Sequence, residues 1–220
     1  TEDKKWNIGL HGGVTQYHGD LGRDWYETSN TSYGFGGLSV SRYLGKHFDA
    51  NLLLTKGTIG YNNGTTAGFK SDFNAATLNL RFNVLTSEYI VRPYVFAGAG
   101  FFIFGNQLNF HTENYDYILP SAGGGINFRL SPTVNLNLQE SFLFSNKDRR
   151  DGVDNANGDL KKKDSYLTHM VGLTFNLGDT KDTDGDGVSD KKDQCPDTPA
   201  TIKVDKLGCP LDRDKDGIAD

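Results

Sequence analysis

Eight stretches of the first 177 residues read as strands, most of them apolar at every second position, and this period of two constrains the fold more than any other feature. Successive side chains of an extended strand point to opposite faces, so each stretch presents one apolar face. In the first, Trp6, Ile8, Leu10 and Val14 alternate with Asn7, Gly9, His11 and Thr15. The second, about Ser32 to Tyr43, places Leu38 and Val40 on its apolar face. The third sets Ala50, Leu52 and Leu54 against Asp49, Asn51 and Thr55, and the fourth Ala76, Leu78, Leu80, Phe82 and Val84 against Thr77, Asn79, Arg81 and Asn83. The fifth, Pro93 to Gly105, is apolar on both faces, so two orientations stay open: either Val95, Ala97, Ala99, Phe101 and Ile103 face out, or the Tyr94 and Phe96 set does. The sixth sets Ala122, Ile126, Phe128 and Leu130 against Ser121, Asn127 and Arg129, and the seventh Val134, Leu136 and Leu138 against Asn135, Asn137 and Gln139. The eighth sets Leu167, Val171, Leu173, Phe175 and Leu177 against Thr168, Gly172, Thr174 and Asn176.

The strand number is even, and the connections alternate in length. Those around 18–31, 60–72, 105–116 and 145–164 are long, whereas 44–47 and 131–133 are short turns. Long loops on one side and short turns on the other are the pattern of an outer-membrane barrel. Hydrocarbon requires every backbone polar group to be satisfied internally, which a closed barrel achieves without an edge. The expected fold is therefore all-β: an eight-stranded antiparallel up-and-down transmembrane barrel, both chain ends on the periplasmic side, apolar outside and filled with polar side chains. Asp49 and Arg81 fall near the same end of adjacent strands and are expected to join Arg129 in one interior ion-pair network; the other reading of Asp49 is a turn cap in water. Glu140 breaks the scheme, because strict alternation after Leu138 points it at lipid. A β-bulge after Gln139 that resets the phase is the favoured explanation, and a position above the bilayer is the other.

Composition fits a wall that needs only one apolar residue in two: 36% hydrophobic, with 27 Gly, 14 Phe and 10 Tyr. No run approaches the 18 apolar residues of a membrane helix. The polar start, Thr1 to Lys5, reads as a mature terminus after processing. The net charge of −5 lies wholly in residues 178–220, where 12 Asp meet 7 Lys and Arg; the remainder balances 16 against 16, and no basic patch suggests nucleic acid. No catalytic site is expected. The five His are scattered without metal spacing, no G-x-S-x-G occurs, and Gly123-Gly124-Gly125 precedes no helix. The clusters at 148–151 and 161–164 suit either a solvated loop tip or contact with lipopolysaccharide phosphate or a protein. Trp25, Tyr26, Tyr115 and Tyr117 suit an aromatic girdle at the outer rim.

After Leu177 the composition changes. Residues 178–181 read as a linker, and within 182–220 the spacing D-x-D-x-D-G-x-x-D occurs twice, as Asp182, Asp184, Asp186, Gly187, Asp190 and again as Asp212, Asp214, Asp216, Gly217, Asp220. Calcium takes six to eight hard oxygen ligands. Carboxylates at alternate positions of a tight loop supply them, a Gly permits the turn, and the carbonyl of Val188 or Ile218 can add another. Cys195 and Cys209 would form a disulfide in an oxidising compartment and stay as two thiols otherwise.

These units, with C-P-D-T-P and G-C-P, resemble thrombospondin type 3 repeats. The resemblance implies Asp182, Asp184, Asp186, Asp190 and Asp193 as ligands of one calcium site. It implies Asp212, Asp214, Asp216 and Asp220 as the start of a second site, Asp205 as a bridge between repeats, and the Cys pair as a staple. A barrel followed by such repeats, together with the stretch Arg92 to Gly100, resembles OmpA-like outer-membrane proteins of the Bacteroidetes type. That resemblance implies a structural anchor in outer-membrane lipid, whose calcium-stiffened periplasmic repeats lead to a peptidoglycan-binding domain beyond Asp220. The alternatives are an accessory subunit of a larger outer-membrane complex for secretion, uptake or barrel assembly, a small pore, and a soluble lipocalin-like carrier with an apolar interior.

Overall fold

The computed structural model describes residues 6–19, 33–45, 47–62, 68–86, 89–105, 115–131, 133–147, 164–177, 182–188, 190, 193–199 and 201–211. Two compact units divide the chain, one over Trp6–Asn176 and the other over Leu177–Asp220 with Thr1–Lys5. The first is a closed barrel of eight antiparallel strands in sequence order: β1 (Trp6–His18), β2 (Tyr33–Tyr43), β3 (Phe48–Asn62), β4 (Gly68–Asn83), β5 (Val91–Phe104), β6 (Tyr115–Arg129), β7 (Val134–Ser145) and β8 (Ser165–Leu177). β3 and β4 pair as far as Asn62 with Gly68, so the second long connection is shorter than its sequence suggested.

The alternation sets the faces. Leu10, Leu38, Leu78, Leu80 and Leu173 lie exposed on the outer wall, while Asn51, Asn79, Asn135 and Asn137 are buried inside. β5 takes the first of its two orientations: Val95, Ala97, Ala99, Phe101 and Ile103 face out, and Tyr94, Phe96, Phe102 and Phe104 face in. At the long-connection end Tyr115 and Tyr117 are exposed and stack edge to face, their centroids 5.6 Å apart. At the opposite end the Arg42 guanidinium lies 5.3 Å from the Trp6 ring. Aromatic residues thus flank the apolar band at both rims, as an interfacial girdle does. Trp25 and Tyr26 lie outside the described residues.

The expected bulge after Gln139 does not occur. β7 pairs with β8 in unbroken register from Val134 with Phe175 to Phe144 with Ser165, so Glu140 keeps its phase and points outward. The phase change sits in β6 instead. Three steps from Ile118 to Ser121 face two steps on each neighbouring strand, and Leu119 and Pro120 are both exposed. This bulge lets Ile118 and Ser121 both face inward.

The interior has two layers, where the sequence suggested one polar filling. Near the short turns it is polar. Toward the long connections Phe73, Phe102, Phe104, Tyr166, Tyr17 and Phe69 pack into an apolar cluster with Ile59, Ile118 and Met170. Phe102 is its hub, with centroid distances of 4.8 Å to Phe73, 5.2 Å to Tyr166 and 5.7 Å to Phe104. Each such pair contributes about 0.5–1.5 kcal/mol beyond the area it buries.

The outward assignment has a depth-dependent consequence. Leu78→Arg, in mid-strand, is expected to lower the unfolding free energy in lipid vesicles by about 2–4 kcal/mol, and Val84→Arg, beyond the end of β4, by no more than about 1 kcal/mol. Denaturant titration of both variants checks this, and equal costs would mean that Leu78 does not face hydrocarbon.

Candidate functional site

The polar layer is a connected hydrogen-bond network. Arg81 on β4 donates through Nη2 to Gln139 Oε1 on β7 at 2.8 Å. The Tyr94 hydroxyl on β5 donates to the same oxygen at 2.8 Å and accepts from Asn137 Nδ2 at 2.9 Å. Asn137 also donates to Asn127 Oδ1 at 2.9 Å, and Gln139 Nε2 to Ser141 Oγ at 3.0 Å. The Arg81 guanidinium lies over the Tyr94 ring, 4.9 Å from its centroid. Charge-assisted bonds of this kind in a dry interior are the stronger ones.

Glycines make room for the network's aromatic members. A Cβ at Gly125 would run into the Tyr94 ring and the Leu138 carbonyl, and one at Gly123 into the Phe96 ring and the Glu140 carbonyl. The triple-glycine run is therefore the floor on which two inward aromatic rings of β5 lie.

Asp49 and Arg81 are cross-strand partners with buried side chains, as expected from their positions. Their hydrogen bonds lead elsewhere, however: Asp49 Oδ2 accepts from Asn83 Nδ2 at 2.8 Å, and Arg81 donates to Gln139. Arg129 stands across from Asn135, whose Oδ1 accepts from Arg92 Nη2 at 3.0 Å. Arg92, a buried cation of the network, is not marked by the sequence pattern, because it stands just before a stretch that is apolar on both faces. Between the layers a cavity of about 20 Å³, bordered by Phe102, Asn79 and Gln139, has room for one water.

In the second unit, Asp182, Asp184 and Asp186 bring carboxylate oxygens within 4.8 Å of one another. The loop's own backbone assembles them. Asp182 accepts from Gly185 N at 2.9 Å and Gly187 N at 3.0 Å, Asp184 from Thr198 N at 2.8 Å, and Asp186 from Val188 N at 2.7 Å. Gly187 adopts φ 94°, the left-handed turn its place in the motif requires. Asp190 turns both oxygens to Thr183, at 2.7 and 2.8 Å, so it stands apart from the cluster. Asp193 and Asp186 both border Gly208. Asp205 caps its own turn, accepting from Leu207 N at 2.7 Å and Cys209 N at 3.1 Å. Cys195 and Cys209 form a disulfide, Cα atoms 5.1 Å apart. Thr198 Oγ1 fastens the segment, lying 2.9 Å from both the Cys195 and the Gly208 carbonyl oxygens, which share its one proton. Asp212, Asp214, Asp216, Ile218 and Asp220 lie outside the described residues, as do the 148–151 cluster and Lys161 to Lys163.

The donor set fits a hard divalent cation. Its oxygens are all carboxylate, and Asp186 Oδ2 is buried with no hydrogen-bond partner. The half-buried Asp184 carboxyl has its pKa raised from the ordinary aspartate value, first by the loop atoms that desolvate it and also by the charge of Asp186, while N–H groups of Asp186 and Thr198 act the other way. A raised value means that the folded loop holds a proton more tightly than the open chain does. Without a cation, that contribution is present below the ordinary aspartate pKa and is lost as pH rises through the raised one.

The closed ring of eight antiparallel strands and its apolar outer wall define the class: an integral outer-membrane β-barrel protein. No family model matches the chain. It is similar to outer membrane porin F of Pseudomonas aeruginosa, at 27% identity over 177 residues, covering 74% of this chain and 48% of that protein. The chain thus spans about half the length of this curated relative. Among solved structures, the N-terminal β-barrel domain of Pseudomonas aeruginosa OprF superposes with a TM-score of 0.49 at 12% identity, over 78% of this chain and 97% of that one. Neisserial surface protein A gives 0.48 at 12% identity, over 78% and 97%.

The network predicts the effect of one atom. Tyr94→Phe removes a donor to Gln139 and an acceptor for Asn137, leaving a buried donor unmatched, and should cost about 1–3 kcal/mol with the barrel still closed. Urea unfolding in lipid measures it; an unchanged midpoint would show that the network carries no stability.

Proposed function

We propose that this chain is the membrane anchor and calcium-stiffened periplasmic spacer of a protein that ties the outer membrane to the cell wall. The observation that carries the reading is the gathering of Asp182, Asp184 and Asp186, with the orphaned Asp186 Oδ2, in the segment directly after the last membrane strand. Mutual repulsion of the carboxylates opposes this gathering, and bound calcium would cancel it and stiffen the acidic stretch into a short rod. Asp182, Asp184 and Asp186 would hold the ion, with the Val188 carbonyl and Asp193 as further oxygens. The motif spacing supports thrombospondin type 3-like repeats, and the order of parts supports an OmpA-like protein of the Bacteroidetes type. A peptidoglycan-binding domain would follow the repeats, in keeping with a relative about twice as long as the matched region. The role is mechanical, without catalysis.

A pore is the competing reading, and the similar Pseudomonas protein is named a porin. The two interior layers speak against it here, since the apolar cluster and the Arg81–Gln139–Tyr94 network both lie across the barrel's interior. Partnership in a larger envelope complex is compatible with the anchor.

The test is to isolate the whole protein from outer membranes and measure sedimentation with peptidoglycan sacculi, with and without a calcium chelator. Co-sedimentation of protein larger than these 220 residues supports the tether; protein that never sediments with sacculi overturns it. Asp186→Asn should weaken calcium binding to the segment by roughly tenfold or more, about 1.4 kcal/mol, because it removes a charge from the ligand set. Calcium titration by calorimetry checks this. Chelation of the parent protein should speed proteolysis between 182 and 199 while leaving the barrel intact.

A further inference from the structure

The outer wall departs from its apolar rule near the middle of two adjacent strands. On β7 the outward residues run Leu136, Leu138, Glu140, Phe142, so a carboxylate stands among apolar neighbours. Its cross-strand partner on β8 is His169, which neighbours the exposed Val171 on the same face. Glu140 Oε2 is 3.8 Å from His169 Nδ1, and the other ring nitrogen is 3.3 Å from Gln16 Oε1 on β1. The two side chains are 36% and 31% exposed, so the pair is open to whatever surrounds the barrel. On its other side Glu140 faces Gly124, which adds no side chain to the wall. Ionisable groups at membrane depth are costly, and such groups usually meet other polar groups.

We propose that this wall over β7 and β8 is the contact surface between two copies of the chain, paired about a two-fold axis normal to the membrane. The wall is complementary to itself, because the Glu140 carboxylate accepts hydrogen bonds and the His169 imidazole can donate one. Seen from the lipid, Glu140 and His169 stand side by side. When two identical walls face each other about such an axis, left meets right, so Glu140 of either copy meets His169 of the other. An isologous interface requires this self-complementarity, and a patch of one sign could not provide it. The apolar cross-strand pair Leu138–Val171, exposed on the same wall, flanks the polar pair and supplies apolar contact beside it. Pairings that bring like groups together are disfavoured, so the same pair fixes the alignment. The inference needs only that the barrel spans the membrane, and it is independent of the tether.

The test uses the whole chain in lipid vesicles, with Val171→Cys as the attachment point for a thiol-specific bifunctional cross-linker; Cys195 and Cys209 are disulfide-bonded and do not react. Glu140→His places imidazoles at both positions, and His169→Glu places carboxylates at both. Each alone is expected to cross-link roughly tenfold less than the parent, the scale set by losing two polar contacts inside a membrane. An equal mixture of the two should regain the parent's yield, because each then presents what the other lacks. Circular dichroism confirms that each variant is folded; Glu140→Gln, a milder change, stands in if either is not, with a several-fold loss expected. The proposal is overturned if the parent does not cross-link at any protein-to-lipid ratio, if the variants cross-link as well as the parent, or if the mixture fails to recover. Capture in native membranes of a different protein, and never a second copy, would overturn it equally.

Discussion

Backbone amides in hydrocarbon have no water to bond, and a closed ring of paired strands satisfies them all among themselves. The rest of this molecule depends on that condition. Eight strands in sequence order leave no edge, and each strand then separates two environments one side chain apart. A shift of one residue would turn every apolar side chain inward and every amide to lipid, so the alternation that satisfies the membrane also fixes the register.

A ring this small must be filled, and the filling differs along its axis. Toward the short turns, amides, hydroxyls and two arginines bond one another, with Gln139 Oε1 accepting from both Arg81 and Tyr94. Toward the long connections, rings pack around Phe102. The glycine run of β6 belongs to the same problem: side chains at Gly123 and Gly125 would occupy the space that the Phe96 and Tyr94 rings take. The small wall residues of β6 and the large interior residues of β5 are thus one packing solution written on two strands.

Most of the outer wall was legible in the sequence because lipid tolerates only one kind of side chain, so β1, β4 and β8 carry clean alternations. β5 was not legible, since its inner face lies partly in the aromatic layer; with both environments apolar, the pattern loses its contrast. Alternation alone points to a bulge in β7, at Glu140, whereas β6 carries it at Leu119 and Pro120, where consecutive outward residues mark it only once the neighbouring registers are known. In the acidic segment the spacing indicated the trio Asp182, Asp184, Asp186. It did not reveal that Asp190 would turn to Thr183 or that Asp205 would cap its own turn, because both depend on backbone donors brought near by the fold.

Glu140 shows what a broken pattern can mean. When a residue violates the alternation that orders most of the wall, the economical correction is to move the strand's phase, and that would hide the residue inside. The continuous pairing of β7 with β8 removes the option and leaves the carboxylate on the wall beside His169. A barrel under selection only to sit in lipid gains nothing from such a pair, because an apolar residue at either position costs less. An acid and a base side by side at matched positions therefore point to a demand made from outside the barrel, and a second copy of the same surface is the simplest partner able to meet it.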